Sequence, residues 1–295
     1  MNMNEPLLSV CLITYNHVNY VSQAIEGVLM QQVNFNWELV IADDFSRDGT
    51  REIILKYKEK YPDFIKLIFQ DKNVGPVKNW SDLLHYPNSK YIAYFEGDDY
   101  WTDPYKLQKQ IDFLEKNDDY SLSCHNSWVI YENKTKESTL FTNFNTKSSL
   151  SMNDILSSWR IPTASLMFRR SLVDSIPSWV IYHGDYFISL WCAHHGKVHY
   201  SNSVMSVYRK NDESIFEVMR KKDPRIIKEN IVNMLTLFDE FTEYKYSTRI
   251  SVRKDYLIKL YDDSYLKRKN IYLYFLLRPR QLFLRLSSMF CSKSL

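Results

Sequence analysis

Residues 90–99 read KYIAYFEGDD, an apolar run that ends in three acidic residues within four positions. Residues 37–44, WELVIADD, follow the same pattern earlier in the chain. Both runs are rich in β-branched, aromatic and aliphatic residues, which is typical of a buried strand. Adjacent carboxylates at the end of a buried strand repel each other strongly unless a cation meets them. The two runs therefore predict buried strands that end at a polar site.

Helical segments separate these strands along the first hundred residues. A strand–helix repeat with short connections predicts an α/β domain, in which a mainly parallel sheet is flanked by helices. Ligands of such sheets bind beyond the carboxyl ends of the strands, and polar residues stand there at 14–16, 43–44 and 98–99. The predicted strands are 7–14, 37–44, 65–69 and 90–95, and the predicted helices are 20–32, 50–61 and 77–85.

The mixed pattern continues to about residue 212, and strands then cease. Helices are predicted at 104–116 and 185–194, with a long loop over 132–149. Further strands are predicted at 121–131, 164–168 and 197–208. We therefore expect a domain over residues 1–212 and a helical region over 213–295. In that region apolar residues recur at helical spacing at Ile226, Ile227, Ile231, Met234, Leu235, Phe238 and Phe241.

The end of the chain is basic. From residue 245 onward there are twelve basic and three acidic residues, although the whole chain carries a net charge of only +3. Apolar and basic side chains interleave over residues 269–286, which suits a helix lying on an anionic membrane. A helical cap with a solvated basic face explains the same pattern, and both interpretations stay open.

Composition excludes several classes of protein. The six glycines are too widely spaced to form a dinucleotide fingerprint or a Walker phosphate loop. The four cysteines form no C-x-x-C pair, which indicates a reducing compartment. The longest late apolar stretch, residues 271–277, falls far short of the roughly 20 residues that span a bilayer. We expect a cytoplasmic protein, at the inner face of the plasma membrane if its basic end binds lipid, with no nucleic-acid partner.

A divalent cation is the usual partner of paired acids at a strand end. Mg²⁺ and Mn²⁺ take few protein carboxylates and fill their other positions with phosphate oxygens and water. A metal-bound diphosphate therefore suits this arrangement. A solvated acidic turn is the alternative for either pair taken alone.

Four blocks in this order and spacing resemble the family 2 glycosyltransferases, which have the GT-A fold. They are SVCLITYN at 9–16, WELVIADDFSRDGT at 37–50, NVGPVKN at 73–79 and YIAYFEGDDYWTDPYKLQKQ at 91–110. The resemblance covers residues 7–209. It implies a nucleotide-binding half over residues 1–102 and an acceptor half over 103–212.

The resemblance also implies the donor side of a site. It implies a nucleotide-sugar donor, most simply a UDP-sugar, and Mn²⁺ or Mg²⁺ as cofactor. Asp99 would be a direct metal ligand, with Asp98 near the metal or the ribose. The other donor-side residues would be Thr14, Tyr15 and Asn16 at the nucleoside, Asp44 at the base edge and Lys78 at the phosphates. A strand-end core aromatic is the alternative for Tyr15, and an exposed helix lysine is an equal alternative for Lys78.

On the acceptor side, Asp185 in YHGDYFISLW matches the catalytic base of the family. It would deprotonate an acceptor hydroxyl, so that a hexosyl or N-acetylhexosaminyl group is transferred with inversion to a glycan or a lipid-linked acceptor in cell-surface polysaccharide synthesis. Trp101, Thr163 and Arg209 are expected to shape the sugar and acceptor pocket, with Arg209 as a phosphate contact. For Trp101, a wedge that packs the loop is an equal alternative.

Two other functions compete with this interpretation. A sugar-phosphate nucleotidyltransferase has a related fold, but such enzymes usually carry a Gly-rich phosphate loop, and residues 12–17 contain no glycine. A non-catalytic carbohydrate-binding protein could keep the fold without turnover. The joint presence of Asp44, Asp98, Asp99 and Asp185 argues against that alternative.

Overall fold

A computed structural model describes residues 5–133, 136–142, 147–158, 161–180, 184–211 and 214–269. The chain divides into two compact units, Met1–Asn211 and Asp212–Leu295. Residues 270–295, on which most of the predicted membrane-binding segment falls, lie outside the described residues. Within the described ranges, no helix combines the length and the apolar character needed to cross a bilayer.

The first unit is a sheet flanked by helices. Its helices are α1 Val21–Leu29, α2 Thr50–Lys60, α3 Pro76–His85, α4 Lys106–Lys116, α5 Met152–Ser157 and α6 Gly184–His195. Two stretches of 3₁₀-helix lie at Thr163–Ser165 and Arg170–Ser175. Its strands are β1 Leu8–Thr14, β2 Trp37–Asp43, β3 Ile65–Phe69, β4 Tyr91–Glu96, β5 Tyr100–Trp101, β6 Tyr120–Tyr131, β7 Thr139–Leu140, β8 Ser149–Leu150, β9 Leu166–Arg169 and β10 Lys197–Lys210.

The strand order is β3-β2-β1-β4-β9-β6-β10-β5, with β7 on β6 and β8 on β10. Strands β3, β2, β1 and β4 run parallel, as do β6 and β10. Strand β9 is antiparallel to both β4 and β6, and β5 is antiparallel to β10. The predicted α/β architecture with a mainly parallel sheet is confirmed. The predicted strand at 164–168 begins at Leu166, since the preceding three residues form 3₁₀-helix, and the predicted loop over 132–149 contains β7 and the first residue of β8.

The central strands are apolar because helices cover both of their faces. Leu8, Leu12, Ile41 and Phe95 have no exposed surface, and α1 and α4 contribute to the same core. Register then aligns the strand ends: Thr14 pairs with Asp43, and Ile13 pairs with Glu96. The first residues past β2 and β4 are held to β1, since the Asp44 amide donates to the Thr14 carbonyl and the Gly97 amide to the Ile13 carbonyl. One edge of the sheet therefore collects the polar residues.

Helix α1 packs closely against the short strand β5. A Cβ added at Gly27 would lie 2.9 Å from the backbone nitrogen of Trp101 and 3.1 Å from its carbonyl oxygen. Backbone atoms of a paired strand cannot rotate away as a flexible side chain can. Glycine at this helical position is therefore required by the close approach of β5.

We expect Gly27→Ala to lower the free energy of unfolding by about 1–3 kcal/mol, as overpacking of a core does. Helix propensity alone would raise it by about 1 kcal/mol, because alanine favours a helix interior over glycine. The two effects have opposite signs, so urea unfolding of the variant separates them. A variant more stable than the wild type would contradict the close contact.

The second unit contains three helices among the residues that the structure describes: α7 Ile215–Lys222, α8 Pro224–Phe241 and α9 Ser247–Lys269. The Asp223 side chain caps α8 by accepting from the Arg225 amide. The predicted apolar face of α8 is buried at Ile227, Ile231, Met234, Leu235 and Phe238. Ile226 and Phe241, which were predicted in the same helical spacing, are exposed, and Ile226 lies about 100° around the helix from Ile227.

Candidate active site

Four carboxyl groups meet at the polar edge of the first unit: Glu96, Asp98, Asp99 and Asp185. Burial, and then the charges of Asp98 and Asp185, raise the pKa of Glu96 well above its usual range. Burial, and then Asp98 and Glu96, likewise raise the pKa of Asp99. Burial raises the pKa of the Tyr208 hydroxyl, and the negative charges of the four carboxyl groups raise it further. Glu96 and Asp185, which are 89 positions apart in sequence, thus belong to one cluster of acidic groups.

Within this cluster, Asp99 has a free oxygen. Its Oδ1 accepts from the Arg209 amide at 2.8 Å, whereas its Oδ2 is buried and has no partner among the described residues. The neighbouring Asp98 accepts from Asn211 Nδ2 at 3.1 Å through its Oδ2. A buried oxygen without a partner is costly, and each such atom in a folded protein needs an explanation.

The residues present fit a divalent cation. One or two carboxylates are what Mg²⁺ and Mn²⁺ take from a protein when phosphate oxygens and water complete their coordination. The described residues contain no preformed group of three or more His, Cys, Asp or Glu side chains able to hold a metal. A cation at Asp98 and Asp99 therefore needs further ligands from outside such a group.

Arg209 holds the acidic turn in place. Its guanidinium donates to the Asp98 carbonyl at 2.6 Å, contacts Gln23, and lies 3.1 Å from Glu132 Oε1. It also stacks over the Tyr100 ring, with 4.4 Å between its Cζ and the ring centre. Only 7% of this side chain is exposed. The residue that was predicted to contact phosphate is thus engaged within the protein in this structure.

The loop after β1 contains the three predicted nucleoside contacts. The Thr14 side chain is buried and bonded to His17 Nδ1 at 3.2 Å, while 38% of Tyr15 is exposed. Asn16 has a left-handed backbone, with φ of 53°, and its Oδ1 accepts from the Arg47 amide at 3.1 Å. The loops after β1 and β2 are therefore bonded together, and the Tyr15 ring is accessible for stacking.

Asp44 and Lys78 lie beside this loop in different settings. The Asp44 carboxylate accepts from the backbone amides of Val74 and Gly75 at 2.6 and 3.0 Å. Burial raises its pKa, and these two bonds oppose that effect. Asp44 thus fixes the loop that leads into α3. Lys78, on α3, forms an ion pair with Asp82 one turn later, and 62% of its side chain is exposed.

Asp185 lies in the first turn of α6 and is held by Thr163. The Thr163 hydroxyl donates to Asp185 Oδ2 at 3.0 Å. The preceding Gly184 packs on α3, where an added Cβ would lie 2.9 Å from the Trp80 ring. Two of the predicted site residues are therefore in direct contact, although they are 22 positions apart in sequence.

Trp101 is buried, with only 2% of its surface exposed. Its Nε1 donates to the Ala164 carbonyl at 2.9 Å, and its ring packs on Phe95 and beneath the Lys106 ammonium group. A ring in this position offers no face to a sugar. The burial favours the packing role that was weighed as the alternative for this residue.

Sequence reasoning did not assign Glu96 to the site. It is the last residue of β4 and lies two positions before Asp98. Its position at a strand end was visible in the sequence, but its nearness to Asp185 depends on a contact across the fold. Asn211 follows β10, and its bond to Asp98 could not be predicted from the sequence because 113 positions separate the two residues.

Known proteins resemble this chain in sequence over much of its first unit. The family model described as Glycosyl transferase family 2 matches residues 9–176. An uncharacterised protein of Mycobacterium tuberculosis is 34% identical over 210 residues, which are 71% of this chain and 60% of that protein. The Escherichia coli UDP-Glc:alpha-D-GlcNAc-diphosphoundecaprenol beta-1,3-glucosyltransferase WfgD is 26% identical over 215 residues, which are 72% and 81% of the two chains. The chain thus spans about 60% of the length of the first of these relatives.

Solved structures share the fold at low identity. Residues 1–349 of Staphylococcus aureus TarS in complex with UDP give a TM-score of 0.55 at 18% identity, over 77% of this chain and 65% of that one. The mannosyltransferase PcManGT of Pyrobaculum calidifontis, in complex with GDP-Man and Mn²⁺, gives 0.63 at 12% identity over 96% and 81%.

Proposed function

Since the chain belongs to glycosyl transferase family 2 and has its GT-A fold, we propose that it transfers a sugar from a nucleoside-diphosphate donor to an acceptor hydroxyl with inversion. The observation that carries this proposal is the convergence of Asp98, Asp99 and Asp185, with the partnerless Asp99 Oδ2 among them. A catalytic base and an anchor for a metal-bound diphosphate are the two elements that such a reaction needs.

Asp98 and Asp99 would hold Mn²⁺ or Mg²⁺. The cation, when bound, offsets the charge that develops on the leaving diphosphate. The Mn²⁺ of PcManGT supports a divalent metal in this fold. Arg209 supports the arrangement from beneath, because its amide and guanidinium bond to both acidic residues.

Asp185 would act as the general base. Its carboxylate takes the proton of the acceptor hydroxyl while that oxygen bonds to the anomeric carbon. The bond between that carbon and the diphosphate oxygen breaks on the opposite face, and the nucleoside diphosphate leaves with the electron pair. Attack opposite the leaving group inverts the anomeric configuration without a covalent enzyme intermediate.

The donor side would be formed by the loops after β1 and β2. Tyr15 would stack on the base, Thr14 and Asn16 would border the nucleoside, Asp44 would contact the base edge, and Lys78 would approach the phosphates. The exposure of the Tyr15 ring and of the Lys78 side chain supports their part. UDP is the nucleotide that we propose, because WfgD uses UDP-Glc and TarS binds UDP.

The acceptor would be a hydroxyl of a glycan or of a lipid-linked sugar in surface-polysaccharide synthesis. WfgD acts on a sugar carried on diphosphoundecaprenol, which supports a lipid-linked acceptor. A hexosyl or N-acetylhexosaminyl group is the proposed cargo, as the UDP-GlcNAc complex of TarS suggests. The basic residues 269–286 would bring the enzyme to an anionic membrane that displays such an acceptor.

A thermal-shift screen tests the nucleotide proposal. We expect UDP with Mn²⁺ to raise the melting temperature more than GDP, dTDP or CDP does, and UDP without metal to raise it little. A ligand at 100 times its Kd stabilises the folded state by about 2.7 kcal/mol. A response only to a nucleoside triphosphate with a sugar phosphate would favour a nucleotidyltransferase. No response to any nucleotide would contradict the proposed function.

A further inference from the structure

The backbone of the turn Thr163–Ser165 is held by several hydrogen bonds. The Pro162 carbonyl accepts from both the amide and the hydroxyl of Ser165, at 2.9 and 2.7 Å. The Thr163 carbonyl accepts from the Leu166 amide. The next two carbonyls, those of Ala164 and Ser165, accept from Trp101 Nε1 and Gln110 Nε2 at 2.9 Å each. Four consecutive carbonyls thus accept hydrogen bonds, which restrain the backbone of the turn.

The side chains beneath the turn form one buried cluster. Gln110 donates to the carbonyls of Ser123 and Ser165, and its Oε1 accepts from Lys106 Nζ at 2.8 Å. The same ammonium group lies 4.0 Å above the Trp101 ring. Burial lowers the pKa of Lys106 well below its usual range, which is a substantial cost for a residue that makes no described ion pair. The cluster is joined to the turn through the Trp101 and Gln110 hydrogen bonds.

From this rigid turn the Thr163 hydroxyl reaches Asp185. The bond of 3.0 Å joins Thr163 Oγ1 to Asp185 Oδ2, and both the threonine side chain and its backbone are fixed. Resting on the proposed function, we infer that Thr163 is a positioning residue for the catalytic base. It holds one carboxylate oxygen of Asp185 so that the other is presented to the acceptor hydroxyl.

The Asp185 carboxylate lies beside the other acidic groups of the cluster, and its charge is one cause of the raised pKa of Glu96. The Thr163 hydroxyl restrains one of its oxygens in that acidic setting. Trp101 follows Asp99 by two positions in the chain, so its bond to Ala164 ties the turn to the proposed metal side as well. The base and the diphosphate anchor therefore share one support.

The test is Thr163→Val, which keeps the shape of the side chain and removes its hydroxyl. The probes are UDP-glucose, UDP-GlcNAc and GDP-mannose, each with Mn²⁺. The measured rate is hydrolysis of the donor by the full chain, in which water takes the place of the acceptor and the nucleoside diphosphate is released. We expect kcat to fall about 10- to 100-fold with KM for the donor unchanged, since a displacement of about 1 Å can cost 10²-fold. Thr163→Ser should restore most of the rate, because it returns the donor atom.

Two further measurements separate positioning from packing. In an Asp185→Asn background, Thr163→Val should lower the residual rate no further, because residues that act as a unit are non-additive. Thr139→Val, at an exposed threonine of β7, is the matched control and should be silent. An unchanged kcat in Thr163→Val would overturn this inference and leave the proposed function standing. So would a fall in kcat accompanied by a loss of UDP affinity and a lower melting temperature. A wild-type protein that releases no nucleotide from any donor would remove the proposed function and this inference together.

Discussion

Replacing Asp185 by asparagine is expected to lower the rate of sugar transfer about 10²–10⁴-fold, the usual contribution of general-base catalysis. The amide has the shape of the carboxylate but cannot take a proton from an acceptor hydroxyl at neutral pH. It can still accept the Thr163 hydrogen bond through its oxygen, so the first turn of α6 should stay in place. The loss should therefore fall on kcat, and affinity for UDP should be unchanged.

Steady-state kinetics and titration calorimetry with UDP and Mn²⁺ measure the two quantities separately. Asp118→Asn is a matched control, because that aspartate has a side chain 93% exposed and stands far from Asp185 in sequence. It should leave both quantities unchanged. Full turnover in Asp185→Asn would remove Asp185 from the mechanism, whereas a parallel loss of UDP affinity would assign it to the donor site.

The central sheet could be predicted from the sequence because each of its strands has a recognisable pattern in its own residues. Four apolar runs ending in polar residues, separated by helical periodicity, predict parallel strands β1 to β4 and the edge where ligands bind. Parallel strands with both faces covered are almost wholly apolar, so the pattern is strong. The acidic turn after β4 is predicted by the same local reasoning.

The rest depends on contacts between distant segments. Strand β5 is two residues long and exists through its pairing with β10, about a hundred positions later. Trp101 is buried by that pairing and by the contact with α1. Neither contact produces a periodic pattern in the sequence around Trp101, so its burial could not be predicted. The bond between Thr163 and Asp185 and the nearness of Glu96 to Asp185 are of the same kind. Sequence spacing indicates which residue types are present, whereas the fold decides which of them meet.

Asp99→Asn should separate stability from function. In the metal-free protein, burial and the charges of Asp98 and Glu96 raise the pKa of Asp99 and so favour its neutral form. Asparagine resembles that form and keeps an oxygen for the Arg209 amide. The metal-free variant should therefore be at least as stable as the wild type. Each kcal/mol of relieved repulsion would raise the melting temperature by about 2–4 °C.

The same substitution should remove the response to metal. An amide lacks the charge that the partnerless Oδ2 would offer a cation, so we expect the Mn²⁺-dependent shift with UDP to disappear and turnover to fall by orders of magnitude. Asp43→Asn is the contrasting variant, because that buried aspartate already has a cation in Arg51. Removing its charge leaves the guanidinium with only backbone carbonyl partners and no carboxylate, and should cost about 3–5 kcal/mol of stability.

The two variants therefore test one physical statement about this edge of the sheet. The Asp43 carboxylate has its cation within the protein, whereas the Asp99 carboxylate is proposed to take a cation that binds together with the ligand. Melting temperatures of the wild type and of the two variants, each measured with and without Mn²⁺ plus UDP, give the values needed. If Asp99→Asn lost stability as Asp43→Asn should, or kept its full Mn²⁺ response, Asp99 would be a structural residue and the proposed metal site would be wrong.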